Sequence, residues 1–241
     1  YPYKETTSMS DNGTISYTFP DTQNYAETSF GLGANTMVAV TKDTDDTFLK
    51  FKNVGGYLKL QLYGEDVVVK SITLKGNNDE KLAGNSTITP IYGQDPTIGM
   101  ANNARTSITL DCGDGVRIST TEDDATVFWF VVPPITFESG FTIVINNTID
   151  MTFSKSTTNV ISIERNVIQP MAAFEVEIDK IPNNEIRYTA SEKVRPYYDD
   201  EFGAKIEYNS FNPWTGEGVI KFYDDVTEIG YYAFWMCTEL K

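Results

Sequence analysis

Short runs of alternating apolar and polar residues, separated by turn-forming clusters, dominate the first 180 residues and restrict what the chain can build. In YLKLQLYG, Leu58, Leu60 and Leu62 alternate with Lys59 and Gln61. A period of two places the leucines on one face of a strand and the polar residues on the other. KSITLKG repeats the pattern with Ile72 and Leu74, and the GNNDE behind it is turn chemistry. TSITLDC sets Ile108, Leu110 and Cys112 on one face. Phe128 to Val132 is a continuous apolar run, predicted to be a central strand buried on both faces and ended by Pro133 and Pro134. FTIVINNTIDMTF predicts a hairpin, with Phe141, Ile143 and Ile145 alternating, a turn opening at Asn146-Asn147, and Met151 and Phe153 resuming the pattern. AFEVEI places Phe174, Val176 and Ile178 together on a last strand. Evenly spaced short strands predict a mainly β fold, either a sandwich or a barrel.

KIPNNE (180–185) is the best break in this pattern, dividing the chain into 1–179 and 180–241. Beyond it NEIRYTA, KIEYNSF and GVIKF read as further strands, with NPWTGEG as a turn. In the tail, Val226, Ile229, Ala233, Cys237 and Leu240 recur at spacings of three and four. That spacing predicts one amphipathic helical face, with Tyr231, Tyr232 and Trp235 pointing elsewhere.

Composition removes several function classes. The 241 residues contain 40% hydrophobic and 13% aromatic residues, enough to fill a core. Net charge is −15, from 34 acidic and 19 basic residues. Such a surface repels phosphate backbones and anionic headgroups, which argues against nucleic acid and peripheral membrane docking. With no histidine, imidazole-based nucleophile activation and histidine-ligated zinc or haem are excluded. A carboxylate-only glycosidase survives this filter, but no acid pair stands out from the turns, and the expectation is a non-enzyme without a cofactor. Cys112 and Cys237 lack metal-type spacing and are expected to be reduced, largely buried thiols rather than a bridge. No apolar run approaches the ~20 residues of a membrane span. The chain opens at Tyr1 without a signal-type stretch and is read as a mature or trimmed form.

Two resemblances sharpen these expectations. Val226, Ile229, Gly230, Ala233, Phe234, Cys237 and Leu240, preceded by GVIKF, resemble one leucine-rich repeat of the BspA type. That likeness implies an inward stripe that stacks on further coils, with most of the array lying past Lys241. FKNVGGYLKLQL, VKSITLKGNNDEKLAG, TSITLDCGDGV and FWFVVPPITFESGFTI resemble the fimbrillin-like (Mfa-like) domains of Bacteroidales surface lipoproteins. The resemblance implies an antiparallel β-sandwich near an outer-membrane lipid anchor, leading through a small β-rich segment into a repeat coil with a short helix. It implies a cell-surface adhesion protein that presents the repeat region to a protein or glycan partner. The alternative is a fimbrial or anchor subunit that homo-assembles by strand donation.

Asp43, Asp45 and Asp46 supply oxygens suited to Ca²⁺ but lack the glycine and distal glutamate of an EF-hand loop, so an acidic hairpin tip is the expectation and no metal is assigned. Glu122-Asp123-Asp124 and Asp199-Asp200-Glu201 are read as solvated loops. Asn12, Asn85 and Asn146 each open an Asn-x-Thr triplet and are read as turn residues. Tyr197, Tyr198, Trp214, Tyr231, Tyr232 and Trp235 concentrate in the last fifty or so residues. Trp214 is expected to fill a seam, whereas Tyr231, Tyr232 and Trp235 are the candidate partner-binding residues.

Overall fold

The computed structural model describes residues 7–149, 151–177, 181–196 and 201–241, and it is all-β, with no helix among them. The chain divides into two compact units, Tyr1–Ile178 and Asp179–Lys241.

In the first unit the alternating runs become strands in the predicted places. Gly56–Tyr63 buries Leu58, Leu60 and Leu62 and turns Lys59 and Gln61 outward. Val68–Gly76 buries Ile72 and Leu74, and Ser107–Arg117 buries Ile108, Leu110 and Cys112. A six-stranded sheet runs in the order Thr152–Ser156, Phe141–Asn147, Val68–Gly76, Ser107–Arg117, Thr22–Ala26 and Ser29–Phe30. A four-stranded sheet pairs Gly56–Tyr63 with Thr126–Val132 on one side and with Ile168–Pro170 and Phe174–Glu175 on the other. A further sheet contains Ile15–Phe19 and Gly84–Thr89. Inward residues of all three belong to one hydrophobic cluster, the packing of sheet on sheet. Each fully buried Leu, Ile or Phe stabilises this core by about 1.5–3 kcal/mol relative to exposure.

Strand pairing departs from a purely antiparallel sandwich. Thr22–Ala26 runs parallel to Ser107–Arg117, and both Ile168–Pro170 and Phe174–Glu175 run parallel to Gly56–Tyr63. Periodicity specifies which face a residue occupies but carries no information on strand direction, which long connections set.

The strand Thr126–Val132 is a second departure. It pairs with Gly56–Tyr63 alone and is therefore an edge strand, although Phe128, Phe130, Val131 and Val132 are all buried. The Gln23 side chain explains how an edge can be so apolar. Its amide NH₂ donates to the Val131 carbonyl at 2.7 Å, and its carbonyl accepts the Val131 N–H at 2.9 Å. One buried side-chain amide thus stands where one residue of a neighbouring strand would pair. Tyr25 packs on Phe128 with ring centroids 5.1 Å apart, covering the same edge.

The predicted hairpin forms, with Ile145 opposite Phe153, but its first strand runs through Asn146 and Asn147, so the turn opens later than expected. Its turn is held by Asn147, whose side-chain oxygen accepts the N–H groups of Ile149 and Met151 at 3.0 and 2.8 Å. Asn85 and Asn146 lie within strands rather than in turns, whereas Asn12 does cap a turn by accepting the Thr14 N–H. The GNNDE turn is tied down by Asn77, which donates to Ser139 O and Thr157 O and accepts from the Thr142 hydroxyl.

The second unit has a three-stranded sheet ordered Glu185–Thr189, Glu217–Phe222 and Ile206–Asn212. Tyr188, Ala190, Val194, Phe202, Ile220, Phe222 and Ala233 form its core. Phe202 sits at the centre, with Phe222 at 5.0 Å and Phe234 at 5.5 Å between ring centroids. The tail adds no helix. It is a run of turns in which Ala233, Trp235 and Cys237 donate to the carbonyls three residues back, at 3.1 Å each. Met236 takes a left-handed conformation at φ 65°, which interrupts any right-handed helix there.

Candidate functional site

The predicted partner-binding residues share one face of the tail. Tyr231 is 85% exposed, Tyr232 45% and Trp235 49%. Their rings meet edge to face, with Tyr231 and Tyr232 at 5.0 Å and Tyr232 and Trp235 at 5.4 Å. Such offset contacts let each ring edge meet a neighbour's π-face and leave outer faces free.

The backbone beneath holds this group in place. Ala233 is fully buried and Phe234 packs against the core, so the aromatics are anchored from below. Gly230 N donates to Glu201 O at 2.6 Å, and the Glu201 carboxylate accepts the Tyr232 N–H at 3.4 Å. At the end of the chain, Lys241 N donates to Thr189 O, and Ser191 N to Glu239 O, both at 3.0 Å. The turns are thereby fastened at one end to the Glu201 turn and at the other to the strand Glu185–Thr189, a more rigid platform than a free loop.

The predicted inward stripe is only partly inward. Ala233 is buried and Val226 and Cys237 are half-buried, but Ile229 is 60% exposed and Leu240 37%. Helical spacing put all five on one face, and without a helix consecutive turns disperse them. Trp214 also departs from expectation. At 95% exposure on the Asn212–Glu217 turn it fills no seam. Tyr197, Tyr198, Asp199 and Asp200 fall outside the described residues.

Both thiols are free. Burial, with the Asp111 carboxylate adding to it, pushes the Cys112 thiol up to about 12. Cys237 is also raised, chiefly by burial, and its thiol donates to Arg195 O at 3.3 Å. Neither is poised as a nucleophile, because a reactive cysteine needs a stabilised thiolate.

The acidic loop works on itself. Asp43 accepts the N–H groups of Asp45 and Asp46, and Asp46 accepts those of Lys42 and Phe48, all at 3.1 Å. These backbone bonds hold the Asp46 carboxyl below its usual range. Among the described residues no three acidic or thiol side chains gather as a metal would require.

A feature missed in the sequence lies at the open edge of the six-stranded sheet. Thr152–Ser156 is that edge, and beside it a cleft of about 280 Å³ reaches down to Leu60, Phe141 and Ile143. Its other wall is the segment 171–174, fixed by Gln61, which donates to Met171 O at 3.1 Å. Phe174 stacks on Phe153 at 6.4 Å and carries the Lys155 ammonium 6.0 Å from its centroid. The alternation flagged these strands but not the gap between them, since a gap depends on which strands fail to pair.

No known protein family matches the chain, and no curated protein matches it. Solved structures do. A candidate cell adhesion protein from Bacteroides uniformis is 13% identical over 74% of this chain and 67% of its own, with a TM-score of 0.43. Another, from Bacteroides ovatus, is 10% identical over 69% of this chain and 66% of its own, with a TM-score of 0.36. The chain thus spans about two thirds of each neighbour.

Proposed function

We propose that the chain is a non-catalytic binding protein of the cell surface, engaging a protein or glycan partner through Tyr231, Tyr232 and Trp235. The observation that carries this reading is the exposed, mutually packed aromatic group on an anchored turn platform. Exposed Tyr and Trp concentrate binding energy in interfaces because they bring large rigid surfaces at small entropic cost. In this reading the fimbrillin-like sandwich stands near an outer-membrane lipid anchor, and the tail is the first coil of a BspA-type repeat region. The test is screening on glycan and matrix-protein arrays, comparing the native chain with Tyr231→Ala/Trp235→Ala. A hit lost in the double variant supports the proposal. A hit that the double variant retains in full removes these residues from the site, and hydrolysis of an arrayed polysaccharide overturns the non-catalytic assignment.

A second reading, assembly by strand donation, is favoured by the cleft beside Thr152–Ser156. An edge strand offers main-chain hydrogen bonds, and an adjacent apolar cleft offers a seat for alternate side chains of an incoming strand. Concentration-dependent sedimentation distinguishes the two readings. Assembly that is abolished by Ser154→Pro, at a position whose N–H faces away from Phe141–Asn147, favours donation, and a monomer at all concentrations argues against it.

A further inference from the structure

On a chain of net charge −15, one groove in the first unit is lined by three lysines. Lys42, Lys50 and Lys52 lie on an open groove of about 510 Å³ between segments 38–52 and 90–96. Asp46 is the acidic residue in its lining, and its carboxylate is held by backbone N–H groups. The Lys52 ammonium donates to Gln94 O at 2.7 Å and pairs with Asp95 at 3.3 Å. The ammonium groups of Lys42 and Lys50 make no ion pair or hydrogen bond with a described residue. Lys50 also lies within electrostatic reach of the Asp46 carboxylate, and both ammonium groups stand beside exposed rings, Phe48 at 78% and Tyr92 at 54% exposure.

Both walls are built rather than loose. Gln94 N donates to Ile91 O at 3.1 Å, closing a turn with Gly93 at φ 74°. A positive φ at the third turn position calls for glycine, and Pro90 and Pro96 stiffen the flanks. Arg165 pairs with Asp95 at 2.6 Å, so Asp95 is clamped between Lys52 and Arg165. Tyr92 is thus presented at the tip of a fixed turn. The opposite wall is ordered by the Asp43 and Asp46 backbone bonds already described.

We propose that this groove binds an oligosaccharide bearing carboxylates, with the sugar faces on Tyr92 and Phe48 and the carboxylates at Lys42 and Lys50. Two observations favour a saccharide over an acidic peptide. Val38 and Lys52, on the two short strands of the lining, pair with each other, and residues 39–51 and 90–96 contain no strand. The only main-chain edges this offers an extended peptide among the described residues are those of two-residue strands, too short for a strand-addition ladder. Flat apolar faces beside point-like ammonium groups match a ring that carries a carboxylate. The site is independent of the tail aromatics.

The experiment is calorimetric titration of the native chain with tetragalacturonate, its methyl ester and hexaglutamate, at about 20 and about 300 mM salt. The expected result is one saturable site for tetragalacturonate at low salt, weakened at least about tenfold by the higher salt and by esterification. Lys42→Glu/Lys50→Glu is expected to weaken it about tenfold or more, and Tyr92→Ala severalfold, in proteins whose circular dichroism is unchanged. Tyr231→Ala/Trp235→Ala is expected to leave it intact. Equal affinity for the methyl ester, indifference to charge reversal, tighter binding of hexaglutamate, or no heat from tetragalacturonate would each overturn the proposal.

Discussion

Replacing Gln23 by alanine removes the donor and the acceptor that satisfy Val131, and both backbone groups then lie buried without partners. Each orphaned group costs about 1–3 kcal/mol, so the variant should lose roughly 2–6 kcal/mol. Urea denaturation should show a lowered midpoint with an unchanged slope, and a midpoint within error of the native one would contradict the role. Cys112 gives a second test. Its folded-state value of about 12 lies above the ordinary 9.0 because burial disfavours the thiolate. The unfolded chain therefore releases this proton first, so the contribution is complete below about pH 9 and declines between about 9 and 12. In a Cys237→Ala background, alkylation of Cys112 at pH 8.5 should follow the unfolding transition instead of preceding it. Burial of Cys112 was legible from its place in an alternating strand; Gln23 was not. TQNYA has no feature that marks one glutamine as a stand-in for a strand, because the role depends on a residue 108 positions away.

Among the elements, Ser107–Arg117 shows how a short motif shapes a strand. Its pairing with Val68–Gly76 shifts between Asp111 and Val116, across CGDG. Gly115 takes φ 115° there, and a Cβ on it would lie 2.7 Å from both Thr148 Cγ2 and Val68 Cγ1. At Gly113 the φ is 61° and the space is open. Gly115→Ala should therefore cost about 2–4 kcal/mol and Gly113→Ala about 1, read as the difference in melting temperature. Equal shifts would mean that backbone conformation, not crowding, selects both glycines. Strands with strict alternation, such as Gly56–Tyr63, were legible because one buried face imposes the period. The apolar run Phe128–Val132 was misplaced in its sheet because burial on both faces does not require a strand on both sides. The tail was misread because its three-and-four spacing suits a helix, yet consecutive turns can bury Ala233 and Phe234 while Ile229 reaches solvent. The exposure of Tyr231 and Trp235 was legible from residue type, whereas the cleft and the lysine groove were not, since each is assembled from distant segments.

Taken unit by unit, the molecule has two unequal cores. Among the described residues, the core of Asp179–Lys241 rests on seven buried hydrophobic residues around Phe202, whereas that of Tyr1–Ile178 joins three sheets. Small domains bury a smaller fraction of their surface and are correspondingly marginal. Native-state hydrogen exchange should show the amides of Ile220 and Phe222 opening at lower free energy than those of Leu58, Leu60 and Leu62. Equal protection would indicate that the two units unfold together. The cover over Thr126–Val132 has a further consequence for stoichiometry. Of the two large facing sheets, one ends in the two-residue strand Ser29–Phe30, and the other in the Gln23-capped strand and in Ile168–Pro170. Among the described residues, Thr152–Ser156 is the one long flank of these sheets without such a stop. Two copies joined there through a twofold axis would use up both free flanks, so edge-to-edge pairing of these sheets terminates at a dimer, and any longer chain of copies requires a donor segment that is not itself one of their edges.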